Sequence, residues 1–190
     1  ELSKETLQVN EPSKDFLFKY IEEAKKISSE EIQQIWSELF VQETKNPNSI
    51  TVRTLDIIKN MSVSEANTFT SIAKYAVIFG DSAYIPKDIS SHISIRDLTN
   101  MADIGLIKGD LNLTWIPKVN GNSTFSILNN KLVLIIHNNS QGVVELKIPA
   151  RVFTDSGFQL LKSLRINASD QLFISFAEEM RRKNKNVAEI

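Results

Sequence analysis

Apolar residues recur at Ile32, Ile35, Trp36, Leu39 and Phe40, the i, i+3, i+4, i+7, i+8 spacing that lines one side of a helix. Around this stripe the first eighty residues read as a run of helices. One over 13–27, capped by Ser13, sets Leu17, Tyr20, Ile21 and Ala24 on one face. Ser28 and Glu31 form a capping box ahead of the tryptophan helix. Asn46-Pro47-Asn48 breaks the chain, after which Ser49 or Thr51 caps a helix that points Val52, Leu55, Ile58 and Met61 inward. Ser62 and Glu65 form a second capping box, opening a helix through Ala66, Phe69, Ile72, Ala73 and Ala76 that Gly80-Asp81 ends. Short connections of this kind favour antiparallel neighbours.

Beyond residue 81 the period changes. Ser94 starts a short helix that buries Ile95, Leu98 and Met101 and stops at Gly105. Alternating runs follow at Leu111, Leu113 and Trp115, at Phe125 and Ile127, at Leu132, Leu134 and Ile136, and at Val144, Leu146 and Ile148. Asn120-Gly121, Asn129-Asn130 and Gln141-Gly142 separate them, which predicts an antiparallel meander. Thr154 caps a helix with Phe158, Leu161 and Leu164 inward, and Ser169 caps a last one with Leu172, Phe173, Phe176 and Met180. The expected fold class is α+β: an N-terminal helical half, then a winged-helix-like half with an antiparallel β meander and two C-terminal helices. The expected division is a linker or disordered terminus at 1–12, a helical subdomain at 13–81, a winged-helix-like α+β subdomain at 82–180 packed on the first, and a basic tail at 181–190.

Composition narrows the chemistry. The 190 residues are 42% apolar with a formal charge of -1, as in globular domains. A chain of this size buries roughly 70% of the surface that its unfolded form exposes, enough for a core without cross-links. With no cysteine, disulfides, thiolate zinc sites and a cysteine nucleophile are excluded. The start at Glu1 reads as an excised fragment. No apolar run approaches the roughly 20 residues that span a bilayer, so no membrane contact is expected, and the expected location is the cytoplasm. Five Asn-x-Ser/Thr sequons, at Asn60, Asn112, Asn122, Asn138 and Asn167, fit chance in a chain rich in Asn and Ser.

No catalytic constellation stands out. His92 and His137, the only histidines, are too far apart in sequence for a His-rich metal site, and no HExxH, phosphate loop or GxSxG elbow occurs. Glu22-Glu23 and Glu30-Glu31 are adjacent pairs, which diverge on a helix and do not aim at one substrate. No cofactor and no metal are expected.

Two sets of residues invite a role. Arg53 lies in the first turn of its helix, beside Thr54 and three residues before Asp56. Its bland reading is an ion pair with Asp56 plus a contact to the Glu43 corner of the preceding helix. Its functional reading is an anion grip at a helix N-terminus. The stretch 94–108, a short helix feeding strands, resembles the third helix and wing of a winged-helix module. Used on nucleic acid, it would rely on Arg96, Lys108 and Lys118 with Arg181 and Arg182 of the tail. Arg96 stands against Asp97 and Asp103, however, and duplex affinity comes mainly from cations on phosphates, so any binding is expected to be weak.

Trp36, Leu39, Glu43, Pro47, Ser49, Arg53-Thr54-Leu55, Ala66 and Phe69, with Gly105-Leu106-Ile107 and the 154–160 piece further on, form a pattern. It resembles a bacterial domain-of-unknown-function family, number twenty-eight-oh-six, over most of residues 30–165. The resemblance implies a bacterial helical-plus-hairpin module, often part of a larger chain, with no assigned activity. The leading expectation is therefore a non-enzymatic protein-interaction or scaffold module. Its partner would be an unknown protein or the part of the same chain that precedes Glu1. The alternative is a nucleic-acid-binding regulator. A hydrolase built from distant carboxylates ranks third.

Overall fold

Ser13 sits in extended backbone and accepts the Phe16 amide, starting helix α1 (Lys14–Ala24) in a computed structural model that describes residues 11–110, 112–129, 132–164, 166 and 169–184. Helix α2 (Glu30–Lys45) is capped by Ser29, which accepts the Ile32 amide, not by Ser28. Adjacent serines offer the same chemistry. The Gln33 side chain, donating to the Ile27 carbonyl at 3.0 Å, sets the start one residue later. Helix α3 (Val52–Lys59) takes Thr51 as its cap. Helix α4 (Val63–Ala73) opens on the expected capping box: the Ser62 amide donates to Glu65 at 2.7 Å, and the Glu65 amide to Ser62 Oγ at 3.2 Å.

The expected continuation of α4 to Gly80-Asp81 is corrected. The helix ends at Ala73, and strands β1 (Val77–Phe79) and β2 (Ser82–Pro86) pair about Gly80, whose φ of 53° only glycine adopts at little cost. The run Val77-Ile78-Phe79 prefers the pleated surface of a strand. Helix α5 (Ile95–Asp103) is capped by Ser94, as expected. It closes in a Schellman motif on Gly105 (φ 84°), with Leu106 N–H bonded to the Met101 carbonyl and Gly105 N–H to that of Ala102. Val52 and Ile95, both expected inside, are exposed. Each is the first residue of a short helix whose apolar positions follow i, i+3, i+6, and that spacing drifts about 120° around the axis. The next two residues of each series, Leu55 and Ile58 or Leu98 and Met101, are buried.

The remaining strands are β3 (Thr114–Trp115), β4 (Lys118–Val119), β5 (Thr124–Leu128), β6 (Val133–His137), β7 (Val144–Glu145) and β8 (Ile148–Val152). Every pairing is antiparallel, in one six-stranded sheet ordered β3-β8-β2-β1-β5-β6 and a separate β4-β7 pair. Among the strands after α5, only β5 and β6 pair as sequence neighbours; β3 and β4 reach across to β8 and β7. Leu111 and Asn130, assigned to a run and a turn, lie outside the described residues. Helices α6 (Asp155–Ser163) and α7 (Asp170–Lys183) close the chain, the latter capped by Ser169 as expected.

The elements group into two units, Glu1–Asn67 with Ser156–Arg165 and Thr68–Asp155 with Ile166–Ile190, as far as these residues are described. In the first, α1 and α2 meet through stacked Tyr20 and Trp36 (5.3 Å) and tilted Phe16 and Phe40 (6.3 Å). In the second, Phe173, Phe176, Ala177 and Met180 of α7 share a buried cluster with Val77, Ile127, Leu134, Ile136 and Ile148 of the sheet. No described helix is long and apolar enough to cross a membrane.

Charges tie α1 to α3. Glu23 receives Lys19 at 3.3 Å, Lys26 at 3.1 Å and Lys59 at 3.3 Å, while Asp56 holds Lys19 at 2.9 Å and Lys59 at 3.0 Å. Hydrogen bonding from Lys26, then from Lys59 and Lys19, lowers the Glu23 carboxyl from 4.5 to about 2, and Lys19 lowers Asp56. A carboxyl depressed in the folded state stabilises above its unfolded pKa and loses that contribution as pH falls through the folded one. Urea midpoints of the wild type should therefore fall between pH 4.5 and about 2. Glu23→Gln should flatten that slope; parallel pH profiles would refute the network's role.

Candidate interaction surface

The residues of the tryptophan-to-phenylalanine stretch are mostly structural. Glu43 continues the α2 stripe and is completely buried. Its carboxylate accepts the Asn48 amide at 2.7 Å and the Ile50 amide at 2.9 Å, with longer bonds from Ser49 Oγ (3.4 Å) and the Ser13 amide (3.5 Å). The loop over Pro47 is thus folded onto a buried anion, and Asn48, at φ 66°, is a residue that tolerates that backbone. Thr54, also buried, donates to Gln159 Oε1 at 2.6 Å, and the same oxygen accepts the Thr51 amide at 2.9 Å. Gln159 of α6 therefore satisfies a helix start more than a hundred residues earlier. It escaped sequence reasoning because no local pattern marks so distant a partner.

Arg53 is placed otherwise than its bland reading expected. Its side chain is exposed and has no hydrogen bond or ion pair among the described residues. Asp56 is taken by Lys19 and Lys59, and Glu43 by backbone amides. The structure does not bring Arg53 and Glu43 together. Arg53→Ala should change stability by no more than about 0.5 kcal/mol, as for other surface positions. A chemical-denaturation loss well above that would show a tie that the geometry lacks.

The cations proposed for nucleic acid all lie in the second unit, and all are exposed. Lys118 is paired with Glu145 at 3.1 Å, and Arg182 with Glu179 at 2.6 Å. Arg96, Lys108 and Arg181 have no ion pair among the described residues. The neighbouring Lys183 is likewise held by Asp88 at 2.8 Å. Six of the ten residues of the expected tail, 185–190, lie outside the described residues; Arg181 and Arg182 belong to the last turn of α7. Of the sequons, Asn138 is buried, its amide donating to the Val119 and Gly142 carbonyls, which suits a loop brace and not a glycan. No described cluster of His, Asp and Glu could hold a metal ion. One further cation is built into the sheet: Arg151 of β8, half-buried, donates to buried Ser90 at 2.9 Å, and burial lowers its pKa.

The surface that sequence reasoning missed is the outer side of the β5–β6 hairpin. Ile127, Leu134 and Ile136 are buried, so the alternate residues point to the opposite face. There Leu128 (37% exposed) faces Val133 (53%), and Ser126 faces Ile135 (45%). Neither strand contains Asp, Glu, Lys or Arg. β6 also ends the sheet, with no strand on its far side among the described residues. The Asn129 amide bonds to the Leu132 carbonyl and the Asn138 amide to that of Ser123. Alternation between those two points turns the amides of Leu134 and Ile136 toward β5, and those of Val133, Ile135 and His137 toward the open edge. Two of the three residues whose backbone groups face that edge, Val133 and Ile135, therefore also carry exposed apolar side chains. A signal existed in the sequence: Leu132 to Ile136 is apolar at every position, where a half-buried strand would alternate.

Residues 1–115 match the family described as "Protein of unknown function (DUF2806)". The chain belongs to this family. The expected resemblance over 30–165 is thus met at the N-terminal side, and the match covers Trp36, Glu43, Arg53 and Gly105. The β5–β6 hairpin and Gln159 lie beyond the stretch matched by DUF2806. No curated protein and no solved structure matches the chain.

Proposed function

We propose that this chain is a non-enzymatic interaction module of a larger, cytoplasmic bacterial protein, which binds a protein strand along the free edge of β6. The observation that carries this reading is an edge strand without Asp, Glu, Lys or Arg, whose outward backbone groups and exposed Val133 and Ile135 coincide. Native sheets normally block such edges with lysine, proline or a bulge, because an open edge templates pairing with another chain. An edge left open, with apolar side chains beside it, is the geometry of strand addition: main-chain bonds supply affinity and alternate side chains supply specificity. The occupant is an extended segment rich in β-branched residues and poor in charge, since β6 has no Asp, Glu, Lys or Arg to pair with a charged one. The nucleic-acid reading, with α5 and the strands after it used as a winged helix, is weaker because Lys118 and Arg182 are already paired.

Affinity capture from the source cells with wild type and with Val133→Lys/Ile135→Lys tests the proposal. Proteins retained by the wild type, lost by the variant and indifferent to nuclease are expected. Identical sets, or sets that vanish with nuclease, would refute it.

A further inference from the structure

We propose that the strand received by the β6 edge is β6 of a second copy of this chain, paired antiparallel about a two-fold axis at Ile135. This inference rests on the proposed use of that edge and names its occupant. Three properties of the strand make it self-complementary. First, the outward residues are Val133, Ile135 and His137, evenly spaced about Ile135. A two-fold axis there sets Ile135 opposite Ile135 of the second copy, and Val133 opposite its His137, each a pair that exchanges both backbone bonds. Second, no Asp, Glu, Lys or Arg lies on β5 or β6, so two copies approach without the like-charge contacts that such residues bring to paired strands. Third, exposed apolar side chains lie at the junction: Ile135 (45%) against its own copy, with Val133 (53%) flanking it against the imidazole of His137, and their contact removes apolar surface from water. The contact is isologous, so it closes at two copies and does not propagate.

A junction one strand wide is small. Association is therefore expected between about 1 μM and 1 mM, the regime of small transient contacts. Sedimentation over that range should show a concentration-dependent dimer. Ile135→Lys places two ammonium groups against each other at the axis and should weaken association at least about tenfold. Ile135→Thr, still β-branched, should retain it.

Two site-specific readouts separate strand pairing from any other dimer. On dilution, amide exchange should accelerate at Val133, Ile135 and His137 but not at Leu134 and Ile136, which bond to β5 at every concentration. The chain has no cysteine. Ile135→Cys therefore carries a single thiol, and oxidation should yield a covalent dimer, because the Cα separation of about 5.5 Å in such a pair suits a disulfide. A wild type that stays monomeric throughout the range, or exchange at Val133, Ile135 and His137 that ignores concentration, would overturn the proposal. If capture of other proteins is nevertheless lost in Val133→Lys/Ile135→Lys, the edge serves a different strand and the interaction reading survives. If capture is also unchanged, both fall.

Discussion

Glu43→Ala is expected to lower the unfolding free energy by about 2–4 kcal/mol, because it strips the acceptor from the buried Ile50 amide and the part-buried Asn48 amide, and a buried donor left unsatisfied costs about 1–3 kcal/mol. The donors are the Asn48 amide at 2.7 Å and the Ile50 amide at 2.9 Å, and Ile50 is itself buried. The loop from Asn46 to Thr51 has no strand or helix of its own to satisfy it, so the carboxylate is what shapes it. That loop delivers Thr51 to the start of α3, and a disordered loop would loosen the cap as well. Glu43→Gln keeps one acceptor oxygen and should lose less than Ala. Urea denaturation of both variants at pH 7 measures the difference. Equal, small losses for both would mean that water replaces the carboxylate and the loop holds its form unaided.

Trp36→Ala is expected to cost about 3–5 kcal/mol through lost transfer energy and the cavity left behind. Trp36 is 2% exposed and stacks on Tyr20 with centroids 5.3 Å apart and an interplanar angle of 24°. Its indole Nε1 is buried without a hydrogen-bond partner. That detail makes Trp36→Phe informative. Phenylalanine fills much of the same space and removes the unpaired N–H, so it should recover most of the loss. A tryptophan kept for stacking a ligand would behave otherwise: neither variant would shift the melting temperature, and the indole would be open to solvent quenchers.

These two residues show how far the pattern reaches. The stripe from Ile32 through Leu39 was legible because a 3.6-residue period survives any tertiary context, and its next step falls on Glu43. The charge of Glu43 disguised it. Polarity argued for solvent, while position argued for the core, and only the loop amides around it decide between them. The helix caps at Ser13, Ser62, Ser94 and Ser169 were equally legible, and that of α3 down to Ser49 or Thr51, since a cap is a bond between residues two or three apart. The β1–β2 hairpin was not, because Ala76 to Phe79 extends the apolar run of α4 and short apolar runs fit either state.

Local chemistry alone therefore determined the presence of the helices and most of their caps, the antiparallel character of the second half, the Schellman stop at Gly105 and the lack of any thiol chemistry. Each follows from spacing within a few residues or from composition. What tertiary structure decided were the relations between distant segments: Gln159 bonding Thr51 and Thr54, β3 and β4 reaching β8 and β7, Asp56 pairing with Lys19 in place of Arg53, and β6 standing at one edge of the sheet, with β3 at the other. Hydrogen bonds and ion pairs of this kind act over about 3–4 Å in space whatever the separation in sequence, so no periodicity encodes them. The open edge of β6 is the clearest case, because whether a strand is interior or terminal depends on every other strand in its sheet.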